Sequence, residues 1–83
     1  MRLDKYLKVS RLIKRRTVAN EACDGGRVTV NGKVARASYD VKVGDVIALH
    51  FGDERVLAVE VLDVSETAGK SEASLLYREV NAQ

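Results

Sequence analysis

The 83-residue sequence contains one cysteine, one histidine, no tryptophan and no proline. A lone cysteine, Cys23, cannot form an internal disulfide, and with His50 it supplies too few ligands for a four-ligand structural zinc site. Aromatic residues make up only 5% of the chain, which argues against a surface that stacks successive bases of a single strand. We expect no metal and no cofactor.

Long apolar runs are also missing. None approaches the roughly 18 residues that a membrane span requires, and the first five residues lack the apolar segment of a secretory signal. We therefore expect a cytoplasmic protein. A chain of this length forms one small domain with a marginal core, and most large catalytic clefts need more scaffold. No catalytic motif is visible, so the sequence favours a binding module over an enzyme.

Charge is divided unevenly along the chain. Residues 1–36 hold ten Lys and Arg against three acids, a net charge of +7. Residues 37–83 hold four bases against nine acids, a net charge of −5. The first part should attract a polyanion, because few acids are available to neutralise its cations. The competing interpretation is a solvated surface on which the charges segregate without a partner.

The opening residues have the apolar spacing of a helix. Leu3, Tyr6 and Leu7 lie at i, i+3 and i+4, which places them on one helical face and predicts that Tyr6 packs in the core. The same spacing recurs over residues 9–13. Ser10 is the point at which this helix could break.

A second helix is predicted from Thr17 to about Asp24, with Thr17 as its N-cap. Cys23 lies among small residues of this helix and is predicted to pack in the core. Gly25-Gly26 supplies the left-handed residue that ends a helix.

Alternating apolar residues then indicate strands. Residues 28–30 alternate, Asn31-Gly32 is the strongest short signal for a hairpin, and residues 33–35 return the chain. A type I′ turn needs positive φ at both central positions, which Asn tolerates and Gly adopts freely.

The remaining chain predicts further strands over residues 46–51 and 55–62 and a short final helix over 71–80. The predicted fold class is α+β, with two short N-terminal helices on a small, mostly antiparallel sheet. We expect a functional domain over residues 1–62 and an acidic C-terminal extension over 63–83.

Basic residues cluster around the two predicted helices. If residues 9–16 are helical, Arg11, Lys14 and Arg15 fall on the face opposite the apolar one. Arg16 lies beside the start of the second helix, where free backbone N–H groups and the helix dipole favour a phosphate. An arginine adds a planar fork for bidentate contacts.

Other polar residues extend this cluster. Asn20 lies about one turn into the second helix and could offer its amide to a base edge or a 2′-hydroxyl. Arg27, Lys33 and Arg36 flank the predicted hairpin. Together these residues predict a continuous surface for an anionic ligand.

Four segments resemble, in order and spacing, the RNA-binding domain named after ribosomal protein S4. They are RLDKYL at residues 2–7, SRLIKRRT at 10–17, ACDGGRVTVNG at 22–32 and VKVGD at 41–45. That family places two helices and a hairpin on structured RNA. This chain consists of little besides that domain. Within the family it is therefore similar to the RqcP-like ribosome quality-control factors and related to heat-shock protein fifteen.

The resemblance implies a non-catalytic factor that binds large ribosomal subunits carrying peptidyl-tRNA. It would contact the subunit's rRNA and the P-site tRNA while RqcH directs alanine tailing of stalled chains, and it would act as a monomer. Carried over by motif, the first candidates for RNA contacts are Arg2, Asp4 and Arg16. Supporting candidates are Arg11, Lys14, Arg15 and Asn20, and weaker ones are Arg27, Asn31 and Lys33. The residues alone leave Asp4 equally open to a structural role, as a helix cap or the partner of an arginine.

Three alternatives stay open on the sequence. The first is a heat-shock-type ribosome recycling factor, which the acidic C-terminus disfavours because that type carries a long basic extension. The second is the RNA-targeting module of an RNA-modifying enzyme. The third is a module that binds a basic protein through its acidic half.

Overall fold

A computed structural model describes residues 1–52, 55–64 and 76–80 of the chain. Within these ranges, two helices and five strands follow one another in sequence. The helices are α1 (Leu3–Val9) and α2 (Arg16–Asp24), and the strands are β1 (Val28–Val30), β2 (Lys33–Val34), β3 (Val46–Phe51), β4 (Arg55–Val61) and β5 (Tyr77–Val80).

The strands form one antiparallel sheet in the order β2-β1-β3-β4-β5. Asn31 and Gly32 have φ angles of 53° and 85°, as the predicted two-residue hairpin between β1 and β2 requires. The predicted strands over residues 46–51 and 55–62 are confirmed, the second ending one residue earlier. The α+β class is likewise confirmed.

The core lies between the helices and one face of the sheet. Leu3, Tyr6 and Leu7 of α1 are fully buried, as their spacing predicts, and Cys23 of α2 joins them. The sheet contributes alternate residues, Ile47 and Leu49 of β3 among them. Alternation puts every second side chain on the helix side of the sheet. No helix within the described ranges is long and apolar enough to cross a membrane.

The predicted helical continuation over residues 9–16 is wrong. Helix α1 ends at Val9, and Arg11 has a left-handed φ of 63°. The Ser10 hydroxyl donates to the Leu7 carbonyl at 3.3 Å, and the Ile13 amide donates to the same carbonyl at 3.1 Å. These bonds satisfy the helix end and bring the following apolar side chains onto the core through a turn, here called the basic turn (residues 10–15).

The predicted N-cap of the second helix is also wrong. The N-cap is Arg15, with an extended backbone (φ −120°), and Thr17 already lies inside the first turn. No side chain caps this end, because an arginine occupies the position where a short polar side chain would accept the hydrogen bond. The end near Asp24 is confirmed, and Gly26 has the left-handed φ of 81°.

The predicted C-terminal helix is wrong over the part that the structure describes. Tyr77–Val80 form strand β5, paired with β4 from Ala58 to Val61. Pairing with an open sheet edge overrides local spacing, because the backbone of β4 offers hydrogen bonds there. The rest of that predicted helix lies outside the described residues.

Candidate nucleic-acid interface

Asp4 is the centre of the polar site. It lies in the first turn of α1, and its side chain is 3% exposed. Its Oδ1 accepts the backbone N–H of Lys5 at 2.8 Å and the Nε–H of Arg2 at 3.2 Å. Its Oδ2 accepts a second Arg2 nitrogen at 3.3 Å and the amide of Asn20 at 3.2 Å. Both carboxylate oxygens therefore accept hydrogen bonds from other residues of the chain.

Arg16 completes this set of residues, the Asp4 cluster (Arg2, Asp4, Arg16 and Asn20). Its Nε lies 3.5 Å from Oδ2 of Asp4. The two arginine side chains are about half exposed, 51% for Arg2 and 48% for Arg16, above the buried carboxylate. Since a guanidinium carries five N–H donors, each arginine keeps donors that face solvent.

The electrostatics hold Asp4 ionised. Burial alone would raise its pKa, but hydrogen bonds from Arg2, Asn20, the Lys5 backbone and Arg16 outweigh it and lower the pKa from 3.8 to about 2. One buried negative charge thus faces two half-exposed positive charges. The cluster keeps a net positive charge and fixes where both guanidiniums point.

Helix packing explains why the cluster forms. Arg2 is the N-cap of α1, and Arg16 is the first residue of α2. The two helices pack against each other, and Leu7 of α1 and Ala19 of α2 both belong to the buried core. Their N-terminal ends therefore meet at one carboxylate, although Asp4 and Arg16 lie far apart in sequence.

The basic turn presents a second group of cations. Arg11, Lys14 and Arg15 are all exposed, and none forms an ion pair with a described residue. They do not form the helical stripe that the sequence predicts, since the chain there is a turn. They still lie next to Arg16 along the chain, so the turn carries positive charge up to the Asp4 cluster.

Lys8 belongs with these cations and was missed. It is exposed in the last turn of α1, three residues before Arg11. The signal that could have found it is the one that marks its neighbours, since no acid lies between residues 5 and 20 to neutralise it.

The hairpin region carries two exposed cations and one asparagine whose side-chain amide has a structural role. Lys33 and Arg36 are exposed and line a shallow cleft beside the turn. Asn31 is occupied at both ends of its amide: Nδ2 donates to Asp45 at 3.1 Å, and Oδ1 accepts the Val46 N–H at 2.9 Å. The side chain of Asn31 is thus used to attach the hairpin to β3.

Asp45 is the residue that holds this corner, and sequence reasoning missed it. Besides Asn31, it accepts the Tyr39 hydroxyl and the Lys42 backbone N–H, each at 3.0 Å. The available signal was its position directly after Gly44, where an aspartate commonly accepts backbone hydrogen bonds in a turn.

Comparisons with known proteins agree on one family. The family model described as "S4 domain" matches residues 1–47. A protein of Halalkalibacterium halodurans named "RQC P-site tRNA stabilizing factor" is 58% identical over 93% of this chain and 86% of its own length. A Bacillus subtilis protein of the same name is 52% identical over 93% of this chain and 88% of its own. The solved trimeric structure of Vibrio cholerae heat shock protein 15 superposes with a TM-score of 0.86 at 34% identity, covering 96% of this chain and 81% of that one.

Proposed function

The chain belongs to the S4 domain family, and we propose that it is a non-catalytic RNA-binding factor of ribosome-associated quality control. In this proposal it binds large ribosomal subunits that carry peptidyl-tRNA and stabilises the P-site tRNA while RqcH directs alanine tailing. Its partners are the large-subunit rRNA and the tRNA, and it acts in the cytoplasm as a monomer.

The observation that carries the proposal is the Asp4 cluster. A buried carboxylate that orients two half-exposed guanidiniums is suited to a ligand with closely spaced negative charges. Phosphates of an RNA backbone have this property, and most of the affinity of proteins for nucleic acid comes from such contacts. The identity of 58% to a protein named for tRNA stabilisation supports the same ligand.

We propose separate tasks for the predicted site residues. Arg2 and Arg16 contact phosphates, and Asp4 positions them. The exposed cations that add affinity from the basic turn and the hairpin are Arg11, Lys14, Arg15, Arg27 and Lys33. Asn20 has a carbonyl oxygen that accepts no hydrogen bond from described residues, which leaves it for an RNA donor such as a 2′-hydroxyl. Asn31 holds the hairpin in place.

The proposed mechanism is positional. Guanidinium groups placed between rRNA and tRNA backbones lower the free energy of the tRNA in one site, and no bond is made or broken. We assign RNA binding to residues 1–62 and treat residues 63–83 as the acidic extension, of which Tyr77–Val80 complete the sheet.

Co-sedimentation tests this function. The tagged chain is mixed with large subunits carrying peptidyl-tRNA and centrifuged through a gradient, and the bound chain and retained tRNA are measured with and without RqcH. Wild-type protein should co-sediment and slow the loss of tRNA, whereas Arg16→Ala should co-sediment less and slow that loss less. Arg78→Ala removes an exposed arginine of β5 that pairs with Glu60, and it should behave as wild type. Equal tRNA loss with and without the wild-type chain would contradict the proposal.

The heat-shock-type recycling factor is the second candidate, favoured by the TM-score of 0.86. The same gradient separates the two functions. A quality-control factor should promote alanine tailing only when RqcH is present. A recycling factor should act on the subunit without any alanine tailing.

A further inference from the structure

An apolar groove lies between α2, the basic turn and the end of β3. Its walls include Leu12, Ile13, Val18, Ala22, Arg27 and Phe51, and it encloses about 280 Å³. Two of these side chains reach far into solvent, Val18 at 49% and Phe51 at 46% exposed. Phe51 is the single phenylalanine of the chain. Both line the same groove, so their exposed apolar surface forms one patch, the kind of feature that marks a binding site.

The sheet explains why Phe51 faces this groove. It has the same parity in β3 as the buried Ile47 and Leu49, so its side chain lies on the helix side of the sheet. The residues packed around it, which include Val18 and Ala22 of α2, leave it 46% exposed. Part of the side chain is thus open to solvent at the groove.

One arginine lines the groove, and other cations lie next to its lining residues in the sheet or along the chain. Arg27 is part of its wall and is held beside the strand, because its carbonyl accepts the His50 N–H at 2.9 Å. Arg55 lies directly opposite Phe51 in the β3–β4 register. The basic turn supplies Leu12 and Ile13 to the wall, with Arg11 and Lys14 on either side of them in the chain.

No acid lines the groove among the described residues. An apolar floor with an aromatic ring and a cationic rim fits a ligand that combines a flat apolar group with flanking negative charges. A nucleotide within an RNA chain has this composition: its base is the flat group, and the phosphates on its 5′ and 3′ sides carry the charges. An apolar peptide would leave the surrounding cations without partners.

We infer that the groove holds a single unpaired RNA base, stacked on Phe51, with the flanking phosphates on Arg27, Arg55 and the basic turn. The inference rests on the proposed function, since the Asp4 cluster and the groove would contact one RNA. Duplex RNA cannot fill the groove because its bases are stacked inside the helix, so a bulged, looped or terminal nucleotide is required. One ring suffices for one base, in keeping with the low aromatic content.

Binding of two short RNA duplexes tests this inference. They are identical except that one carries a single bulged 2-aminopurine, whose fluorescence reports stacking. The proteins are wild type, Phe51→Leu, Phe51→Tyr and the control Val43→Ala, which removes another exposed apolar side chain (63% exposed) outside the groove. Circular dichroism shows that each variant is folded.

We expect wild type to bind the bulged RNA at least about fivefold more tightly than the paired one, the lower end of what one stacked base contributes. The 2-aminopurine signal should change on binding. Phe51→Leu should lose the preference and keep the affinity for paired RNA, whereas Phe51→Tyr and Val43→Ala should keep both.

Two outcomes would overturn the inference and leave the proposed function standing. One is equal binding of both RNAs by wild type. The other is a Phe51→Leu protein with unchanged RNA preference but weaker association with ribosomal subunits, which would assign the groove to a protein partner. If wild type bound neither of the two duplexes nor the subunits, that result would instead contradict the proposed function, and the inference with it.

Discussion

The Nε of Arg16, at the start of α2, lies 3.5 Å from the Oδ2 of Asp4, in the first turn of α1. The contact joins two helices that the basic turn separates in sequence. It makes the position of Arg16 depend on a buried charge in another element.

Arg16→Ala should weaken RNA binding without unfolding the protein. Arg16 is half exposed, and Asp4 keeps its other donors, so the free energy of unfolding should change by no more than about 1 kcal/mol. The plot of log affinity against log salt should lose roughly 0.7 to 0.9 of its slope for each phosphate contact removed. Titrations of large subunits between low and high salt measure this slope, with Arg78→Ala as the control. An unchanged slope would assign Arg16 no phosphate.

The stability of the protein should depend on the ionisation of Asp4. Its pKa is lowered from 3.8 to about 2 in the folded state, so the carboxylate stabilises the fold fully above the unfolded-state pKa of 3.8. That contribution is lost as the pH falls through the folded-state pKa near 2. The shift corresponds to about 2 kcal/mol.

Urea unfolding of wild type and Asp4→Asn near pH 6 and near pH 2 checks this dependence. Because the other carboxyl groups are common to both proteins, the difference between them isolates Asp4. The loss of stability on acidification should be smaller in Asp4→Asn by about 2 kcal/mol. Equal losses of unfolding free energy in the two proteins would show that the ionised form of Asp4 does not stabilise the fold.

Asn31→Gly should separate the structural part of the hairpin from its cations. Glycine keeps the positive φ of 53° that the turn needs but removes both amide hydrogen bonds, to Asp45 and to the Val46 N–H. We expect a loss of about 1 to 2 kcal/mol in the free energy of unfolding and unchanged RNA affinity of the folded protein. Lys33→Ala should instead lower the RNA affinity and leave the free energy of unfolding unchanged. Thermal melts and RNA titrations of the two variants decide, and a weaker affinity for folded Asn31→Gly would return Asn31 to the RNA surface.

Tyr6→Phe should loosen the attachment of the C-terminal strand. The buried Tyr6 hydroxyl donates to the carbonyl of Leu76, directly before β5, at 2.6 Å. Without it that carbonyl keeps only the backbone N–H groups of Leu62 and Asp63, and the lost hydrogen bond should cost about 0.5 to 1.5 kcal/mol. Hydrogen exchange of the β5 amides should accelerate more than that of the β1 amides. Equal acceleration in both strands would indicate a global loss of stability instead.

The sequence predicts the elements of this fold where a local pattern is decisive. Asn31-Gly32 fixes a hairpin by φ preference alone, and the spacing of Leu3, Tyr6 and Leu7 fixes the buried face of α1. The break at Ser10 is only half predicted. Arg11 adopts a left-handed φ that an arginine rarely takes, and this follows from hydrogen bonds to Leu7 formed only in three dimensions.

The candidate site divides in the same way. The basic residues are visible in the sequence as charge that no nearby acid neutralises. Their arrangement is not, because Arg2 and Arg16 are oriented by Asp4 only after α1 and α2 pack. Phe51 shows the same limit: its place in β3 follows from alternation, but its exposure depends on how α2 and the basic turn pack against the sheet. Likewise β5 exists because β4 offers an open edge to Tyr77–Val80, which helical spacing cannot reveal.

The affinity of Asp4→Asn for large ribosomal subunits, measured at constant salt with circular dichroism to confirm folding, tests the account most directly. Removing a negative charge from a protein that binds a polyanion should tighten binding if only net charge matters. Because Asp4 orients Arg2 and Arg16, we predict weaker binding instead, with a reduced salt slope. Binding that is equal to or tighter than that of wild type would show that the two arginines need no such positioning.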